Sequence, residues 1–295
     1  MEKVLLTNIQ RGSLHDGPGV RTTFFFQGCN LACKWCHNPE TISKKPRIMI
    51  YPDKCIGCKE CLSVCENMCD ADKCISCGKC TDVCLGGARV MSAKEYTVDE
   101  MIEIAERDRA FYKNVGGVTC SGGEPMLQRS ALKEFFLECK KRNIHTALDT
   151  AANIPWEKYL ELIDCTDLFL VDYKLSCDED HIRYTGVSRK LIKENIKNFS
   201  SLGERVWIRM PIIPGVNDSL QHIQRAGEEL SACGFSGKIE LLAFHRLGAH
   251  KYKALGEEYD FENTELMTNE KMQMLKDALA NYNLHVEGGI KNENL

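Results

Sequence analysis

Six short segments that read as β-strands alternate with amphipathic helical segments along most of this chain. The predicted strands are residues 20–26, 116–120, 144–148, 168–171, 206–210 and 238–243. The intervening segments have helical periodicity, as in Leu132, Phe135, Phe136 and Cys139. One helix is predicted to open at a capping box, residues 97–100 (TVDE), and another is predicted to turn Tyr159, Leu160 and Ile163 inward. Strands joined by helices of this length form right-handed βαβ units around a parallel sheet. Because six strands are too few to close a full TIM barrel, we expect an α/β fold with a partial (β/α)6 TIM-like barrel.

Polar motifs follow these predicted strands at the end where each strand stops. They are residues 29–36, residues 122–124, Asp149, residues 172–174, Arg209 and His245. The carboxyl ends of parallel strands lie on one edge of the sheet, and this edge carries the site in α/β folds. Residues with only structural roles would be scattered between both edges. The sequence therefore predicts one functional site at the carboxyl edge.

The first of these motifs is a CxxxCxxC sequence formed by Cys29, Cys33 and Cys36. Clustered thiolates select zinc, copper(I) or iron–sulfur clusters. A structural zinc ion or an ordinary [4Fe–4S] cluster takes four protein ligands, whereas this motif supplies three cysteines. A [4Fe–4S] cluster held by three thiolates keeps one iron free for a substrate or cofactor. A zinc site completed by His37 is the alternative.

A second group of cysteines lies in residues 46–93, where the composition changes. Two runs share the spacing CxxCxxCxxxC: Cys55, Cys58, Cys61 and Cys65, then Cys74, Cys77, Cys80 and Cys84. This is the spacing of bacterial ferredoxins with two [4Fe–4S] clusters, in which the fourth cysteine of each run ligates the other cluster. We therefore expect one cluster on Cys55, Cys58, Cys61 and Cys84, and another on Cys65, Cys74, Cys77 and Cys80.

This segment departs from the ferredoxin pattern at two kinds of position. The proline expected after the fourth cysteine is Glu66 in one run and Leu85 in the other, which leaves the number of ligands unchanged. Cys69 is an additional cysteine, interpreted as a spare thiol with ligand exchange as the alternative. We expect residues 46–93 to form a small inserted 2[4Fe–4S] ferredoxin-like domain, and residues 1–45 and 94–295 to form the barrel.

Composition limits the remaining classes of function. The 295-residue chain has a net charge of −4 with both signs dispersed, so we expect it to bind neither nucleic acid nor a membrane surface. It starts without the apolar core of a secretory signal and has no apolar run long enough to span a membrane. Seventeen cysteines in a chain without a secretory signal do not indicate a disulfide framework. Because iron–sulfur chemistry with an open iron needs a reducing, low-oxygen environment, we expect the protein in such a cytoplasm.

Together these motifs resemble the glycyl radical enzyme activating enzymes, a branch of the radical S-adenosylmethionine (SAM) family. The resemblance covers nearly the whole chain and rests on residues 16–21 (DGPGVR), 29–38, 121–125 (SGGEP), 148–150, 172–174 (DYK), 206–209 and 241–250. The ferredoxin-like insert is similar to that of the subgroup whose partners are lyases and dehydratases of small organic molecules.

The resemblance implies that the open iron of the cluster on Cys29, Cys33 and Cys36 binds the amino and carboxylate groups of SAM. It places Trp35, Cys36 and His37 on the adenosine side. It implies further cofactor contacts from Gly122, Gly123, Glu124, Asp149, Asp172, Tyr173, Lys174, Arg209 and His245. It also implies a monovalent cation near Asp149, Thr150 and Asp172.

The implied reaction is reductive cleavage of SAM to methionine and a 5′-deoxyadenosyl radical, which takes hydrogen from a glycine of a partner glycyl radical enzyme. Lys174 is then a catalytic residue beside SAM, Asp16 contacts the partner's glycine loop, and a flavodoxin or ferredoxin supplies electrons. Two alternatives remain from the sequence. One is a radical SAM enzyme acting directly on a small molecule or peptide, and the other is an electron-transfer ferredoxin fused to an inert barrel.

Overall fold

The structure is a computed structural model that describes residues 2–70 and 73–289. A nine-stranded sheet forms the body, and a two-stranded sheet lies in the segment with the second group of cysteines. The strands are β1 (Lys3–Ser13), β2 (Arg21–Phe26), β3 (Ile48–Ile50), β4 (Arg89–Met91), β5 (Lys94–Thr97), β6 (Gly117–Gly122), β7 (His145–Thr150), β8 (Leu168–Asp172), β9 (Val206–Ile212), β10 (Lys238–Ala243) and β11 (His285–Gly289).

Helices follow most of the strands of the large sheet. They are α1 (Glu60–Val64), α2 (Lys79–Asp82), α3 (Val98–Arg107), α4 (Arg109–Tyr112), α5 (Arg129–Lys141), α6 (Trp156–Leu160), α7 (Asp178–Thr185), α8 (Lys190–Ser200), α9 (Leu220–Ala232), α10 (Ala249–Leu255) and α11 (Asn269–Ala280). None of those within residues 2–70 and 73–289 combines the length and the apolar character that a membrane-crossing helix needs.

The large sheet is mostly parallel and has the strand order β11-β10-β9-β8-β7-β6-β2-β1-β5. Strands β2 and β6 to β10 are the six that the sequence predicts, and each is parallel to its neighbours within this set. Sequence analysis missed the parallel edge strand β11 and the antiparallel pair formed by β1 and β5. Strand β11 (HVEGG) ends in two glycines and has a single β-branched residue, which hides its strand character. The α/β class and the partial barrel are confirmed.

The main hydrophobic core fills the space between the sheet and its helices. Phe24 on β2 meets Phe135 on α5 edge to face, with 5.0 Å between the ring centroids. Helix α3 begins at the predicted capping box, in which the Thr97 side chain accepts a hydrogen bond from the Glu100 N–H. The prediction that Leu160 faces inward is wrong: helix α6 ends at Leu160, and this side chain is 54% exposed.

The loop between β1 and β2 lies against the barrel-facing side of the sheet. Thr119 on β6 donates to the backbone oxygen of Asp16 at 2.7 Å, and Arg209 on β9 donates to that of His15 at 3.2 Å. Thr23 on β2 donates to the Asp16 carboxylate at 2.8 Å. These contacts hold Asp16 inside the barrel.

The segment between β2 and β5 is joined to the body at its base. Antiparallel pairing of β3 with β4 brings its two ends together, with Ile50 opposite Arg89. Arg47 pairs with Glu257, which follows α10, at 2.5 Å. Helices α1 and α2 have only five and four residues, so regular secondary structure contributes little to the shape of this segment. The boundaries 46–93 stay a prediction, and residues 71, 72 and 290–295 lie outside the described part of the chain.

Candidate active site

The loop after β2 gathers the three thiols of the CxxxCxxC motif. Cys36 N–H donates to the Cys33 carbonyl at 3.0 Å, which forms a tight turn. The N–H groups of Leu31 and Asn38 donate to the sulfur atoms of Cys29 and Cys36, each at 3.4 Å. Donors of this kind suit thiolates that ligate an iron–sulfur cluster, since hydrogen bonds to the sulfur atoms tune such clusters.

These thiols lie in a desolvated pocket that also holds the ammonium group of Lys174. Burial raises the pKa of Cys29 to about 12, although the Leu31 N–H and Lys174 act in the opposite direction. Burial likewise raises the pKa of Cys33 and of Cys36. The free thiols are therefore protonated at neutral pH, and metal binding must release these protons.

His37 is directed toward the end of β10 instead of completing a metal site. Its Nε2 donates to the His245 carbonyl at 2.8 Å, and the two imidazole rings stack with 3.9 Å between centroids. Burial and the neighbouring His245 lower the pKa of His37 to about 4, so this imidazole is neutral. Within residues 2–70 and 73–289, no three His, Cys, Asp or Glu side chains are arranged to hold a single metal ion. The zinc alternative has no support here.

The side chains of Asp172, at the end of β8, and Lys174, just after it, point to the same side and form an ion pair. The Lys174 ammonium donates to the Asp172 carboxylate at 2.6 Å, and both side chains are largely buried. Burial lowers the pKa of Lys174, but Asp172 and Cys33 outweigh it, so the net direction is upward. The lysine is therefore a permanent cation at the site.

Tyr173 lies between these two residues, and its side chain points the other way. Its ring is 1% exposed, and its hydroxyl lies 3.2 Å from the Arg189 guanidinium and 3.4 Å from the Glu229 carboxylate. Alternation along the strand explains this orientation. The Tyr173 side chain thus points away from Asp172 and Lys174, and its predicted contact with the cofactor stays a prediction.

Asp149, at the end of β7, is the centre of a polar network. Its Oδ2 accepts hydrogen bonds from Ser121 at 2.6 Å and from Arg209 at 3.1 Å, and Arg209 lies 3.8 Å from Asp16. Burial raises the pKa of Asp149 to about 6, against the effect of Arg209. Among the described residues, Asp149 Oδ1 and Arg209 Nε are buried polar atoms without hydrogen-bond partners. Buried polar atoms are usually satisfied, so these two indicate a missing ligand.

Two glycines at the end of β6, Gly122 within the strand and Gly123 after it, are required by the packing of the protein itself. A Cβ on Gly123 would lie 2.1 Å from the Gly28 carbonyl oxygen. Gly122 has φ +108, and a Cβ there would lie 2.5 Å from the Phe26 nitrogen. The backbone after β6 thus sits directly against the start of the cysteine loop, and Glu124 N–H donates to the Gly28 carbonyl at 2.7 Å.

The Glu124 side chain braces the ends of β6 and β7. Its carboxylate accepts hydrogen bonds from the Thr150 hydroxyl at 2.9 Å and from the Ala151 N–H at 3.0 Å. Glu124 is fully buried, and burial raises its pKa to about 7. The predicted approach to the methionine amine therefore rests on the glycine backbone, while Glu124 fixes the position of that backbone.

Trp35 is packed beneath the cysteine loop. Its side chain is 5% exposed, and its ring centroid lies 6.0 Å from that of Tyr184 and 6.2 Å from that of Phe261. These contacts show a ring that supports the loop from the protein side. Its predicted contact with adenosine stays a prediction.

The second group of cysteines surrounds a cavity at the base of the insert. This cavity of about 240 Å³ is lined by Cys55, Cys58, Cys61 and Cys84, the four residues that the spacing assigns to one cluster. In the other set, Cys80 interacts electrostatically with Cys65 and Cys74. Cys69 N–H donates to the Cys65 sulfur at 3.2 Å, which places the spare thiol beside a predicted ligand.

Several residues of the site escaped sequence analysis. Ser121 and Thr119 alternate on β6 toward the barrel interior, so a period-two pattern was the available signal. Ser13 donates to the Asp16 carboxylate at 2.7 Å from outside any motif. Tyr252 and Tyr259 stack with 4.4 Å between centroids near Cys36, and nothing in the sequence indicates this position.

Comparisons with known proteins agree with this geometry. Residues 23–226 match the model of the radical SAM superfamily. The chain is 39% identical to the trans-4-hydroxy-L-proline dehydratase activating enzyme of Clostridioides difficile, over 96% of this chain and 99% of the relative. It is 36% identical to the 4-hydroxyphenylacetate decarboxylase activating enzyme of Clostridium scatologenes, over 96% of each chain.

A solved structure gives the same result. The domain of a pyruvate-formate lyase-activating enzyme from Bacteroides vulgatus superposes with a TM-score of 0.50 and 27% identity, covering 59% of this chain and 99% of that domain. The cysteine loop, the ion pair on β8 and the glycines after β6 thus occur in a chain similar to these proteins over nearly its whole length. The chain belongs to the radical SAM superfamily and, within it, to the glycyl radical enzyme activating enzymes.

Proposed function

We propose that this chain installs a glycine radical on a partner enzyme of the dehydratase or decarboxylase type. The observation that carries the proposal is the convergence of three buried thiols and the Lys174–Asp172 pair at the carboxyl edge of the barrel. As a radical SAM enzyme, the chain uses a [4Fe–4S] cluster and SAM. The names of its relatives, which activate a hydroxyproline dehydratase and a hydroxyphenylacetate decarboxylase, support this type of partner.

The residues present fit the cluster. Cys29, Cys33 and Cys36 supply three thiolates, and the backbone donors to Cys29 and Cys36 stabilise the charge on sulfur. When bound, the cluster supplies one electron to the sulfonium of SAM, which yields methionine and the 5′-deoxyadenosyl radical. The chain contributes orientation, charge and the exclusion of water from this chemistry.

The site holds groups suited to each part of SAM. The Lys174 ammonium can pair with the methionine carboxylate while Asp172 holds the lysine in place. The backbone after β6 offers carbonyl groups close to the cysteine loop for the methionine amine. The stacked rings of His37 and His245 form a flat wall on the side assigned to adenosine.

A monovalent cation beside SAM also belongs to the proposal. Asp149 Oδ1 is buried and unpartnered in the described structure, and the electrostatic effect of Asp172 on Asp149 shows that the two carboxylates are close. Two nearby carboxylates repel each other, and a cation between them relieves the repulsion. Thr150, at the end of the same strand, adds a hydroxyl oxygen to this neighbourhood.

Asp16 is proposed to contact the glycine segment of the partner. Its carboxylate is held by Ser13 and Thr23, lies 3.8 Å from Arg209 and has a side chain only 15% exposed. A partner segment must therefore enter the barrel to reach it. Such entry shields the radical from water and brings the glycine α-carbon toward the site.

The insert is proposed to bind two further [4Fe–4S] clusters that pass electrons from a flavodoxin or ferredoxin. Five large apolar side chains, each next to a cysteine, are exposed on it: Ile56, Leu62, Met68, Ile75 and Leu85. An exposed apolar surface around redox centres suits transient contact with a donor protein.

The test is to mix this enzyme anaerobically with SAM, a reductant and a candidate glycyl radical enzyme of the dehydratase or decarboxylase type. We expect 5′-deoxyadenosine, methionine and a glycine-centred EPR doublet on the partner. Asp16→Ala should lower the doublet per SAM cleaved by about tenfold (about 1.4 kcal/mol) while SAM binding is kept. Asp16→Asn, which retains an acceptor oxygen, is the matched control. SAM cleavage with a modified small molecule and no doublet on the partner would contradict the proposal.

A further inference from the structure

Arg89 occupies a special position in the insert, at the start of β4. The backbone N–H of Arg89 donates to the Cys84 sulfur at 3.4 Å. The residue also lines the cavity surrounded by Cys55, Cys58, Cys61 and Cys84. Pairing with Ile50 on β3 fixes its backbone at the base of the insert. This places the residue directly against the first predicted cluster site.

The Arg89 guanidinium, in contrast to its backbone N–H, interacts with cysteines of both predicted sites. It interacts with the thiol of Cys61, which belongs to the first set, and with those of Cys80 and Cys65, which belong to the second. Cys80 is buried and Arg89 is half-buried, so solvent screens this contact less than it would at the surface. Among the described residues, no carboxylate forms an ion pair with Arg89, and its charge is therefore directed at the sulfur atoms.

Other cations of the insert do not share this position. Lys79 faces Cys77 and Cys65, both of the second set, and it is exposed and paired with Glu66 at 2.9 Å. Lys59 is exposed and lines the cavity of the first set. Arg89 is thus distinguished by contacts with both sets and by the lack of a described carboxylate partner.

We propose that Arg89 is a shared charge partner of the two clusters of the insert and raises the reduction potential of both. This inference rests on the proposed binding of two clusters there. Reduction adds one electron to a cluster and breaks no bond, so the added negative charge must be stabilised by its surroundings. A cation beside the thiolates provides that stabilisation, and net charge and hydrogen bonds to sulfur set such potentials. It also reduces the repulsion between two reduced clusters.

The test is a redox titration of the reconstituted full chain, monitored by EPR, for the wild type, Arg89→Gln and Arg89→Lys. In Arg89→Gln we expect the ratio of reduced to oxidised clusters at a fixed potential to fall about tenfold for both insert clusters, equivalent to about 59 mV each. Arg89→Lys keeps the charge and should recover at least half of this shift. Lys79→Gln, the matched control, should shift the second cluster alone, and by less.

Unchanged potentials in Arg89→Gln, or a shift of one cluster only, would overturn the inference. If Arg89→Gln does not take up iron, Arg89→Lys is compared with the wild type instead. A shift in the reduction potential of both clusters then supports the inference, and unchanged potentials of both overturn it. Iron analysis separates this result from the underlying proposal. About four irons per wild-type chain would refute the two insert clusters themselves, whereas about twelve irons with unchanged potentials would refute only the role of Arg89.

Discussion

The two groups of cysteines in this molecule differ in burial and in support. The thiols of Cys29, Cys33 and Cys36 lie in a desolvated loop on the carboxyl edge of the sheet. In the insert, Cys55, Cys58, Cys74 and Cys77 are exposed, whereas the other four predicted ligands are half-buried or, for Cys80, buried. A cluster with an open iron must keep water away from a radical, whereas a fully ligated cluster that passes electrons must be accessible to another protein. The exposed half of the insert thiols fits the second, proposed role.

The two regions also differ in what holds their folds together. The barrel loop is fixed by backbone hydrogen bonds from Gly28 to Thr41 and from Glu124 to Gly28. In the insert, five large apolar side chains are between 45% and 84% exposed, and its two helices are very short. We infer that the insert depends on its clusters for stability, as small metal-binding domains do, while the barrel has its own hydrophobic core.

The largest effect is expected from removing the thiols of the barrel loop. Replacing Cys29, Cys33 and Cys36 together with alanine should abolish SAM cleavage and leave about eight irons per chain in the two insert clusters. Iron and sulfide analysis with an assay of 5′-deoxyadenosine measures both quantities. Cleavage at the wild-type rate in this variant would mean that the insert, and not the barrel, contains the open cluster.

The next effect concerns the ion pair at the barrel site. Lys174→Ala should weaken SAM binding by about two orders of magnitude, because losing one partner of a buried ion pair costs about 3 kcal/mol. Lys34→Ala is the matched control, since Lys34 forms an exposed pair with Asp260 at 3.3 Å. That variant should change SAM affinity by less than about twofold. Isothermal titration under anaerobic conditions gives both affinities, and similar losses in the two variants would argue against a SAM contact by Lys174.

The role of the insert is tested by the choice of reductant. Replacing Cys58 and Cys77 with alanine should lower turnover with a reduced flavodoxin about tenfold (about 1.4 kcal/mol) more than turnover with dithionite. The reason is that the protein donor needs the insert clusters, whereas a small reductant can reach the barrel cluster directly. Cys69→Ala controls for the loss of an insert thiol and should behave like the wild type. Equal losses with both reductants would indicate that the insert has a structural or docking role.

A last effect concerns stability and not turnover: Glu124 should cause a pH dependence of the free energy of unfolding. Burial raises its pKa from 4.5 to about 7, so the folded state binds an extra proton between these values. Stability therefore falls as pH rises through this window, by up to about 3 kcal/mol. Glu124→Gln removes this titration. Between pH 5 and pH 8 the wild type should therefore lose more free energy of unfolding than the variant does.

Urea unfolding of both proteins at the two pH values measures this difference. Glu103→Gln, on an exposed helix face, controls for the substitution itself. A difference between wild type and Glu124→Gln that is the same at both pH values would show that the Glu124 carboxyl group is not perturbed in the folded state.

The elements that sequence analysis predicted correctly are those with a strong local signal. Hydrophobic periodicity identified the six parallel strands and the capping box at Thr97, and the spacing of the cysteines grouped four of them around one cavity. The directions of individual side chains depend on tertiary packing. Trp35 packs beneath its loop because Tyr184 and Phe261 offer aromatic contacts there, which no local pattern indicates.

Contacts between distant segments gave no sequence signal at all. Arg89 and Cys61 are brought together only when β3 and β4 pair, and Arg209 meets Asp16 only when the loop between β1 and β2 folds against the sheet. Edge strand β11 has two glycines and one β-branched residue, too weak a strand pattern to be recognised, and it is defined by its pairing with β10. Local patterns therefore predicted the frame and the chemical class of the site, while its internal network required the three-dimensional structure.

The central claim is that SAM binds the cluster on the barrel loop and neither cluster of the insert. Electron–nuclear double resonance on the reduced chain, with SAM labelled with ¹⁵N at its amino group, tests this directly. We predict a ¹⁵N coupling in the wild type and in the Cys58→Ala, Cys77→Ala double variant, and none in the triple alanine variant of Cys29, Cys33 and Cys36. A coupling that persists in the triple variant would contradict the claim.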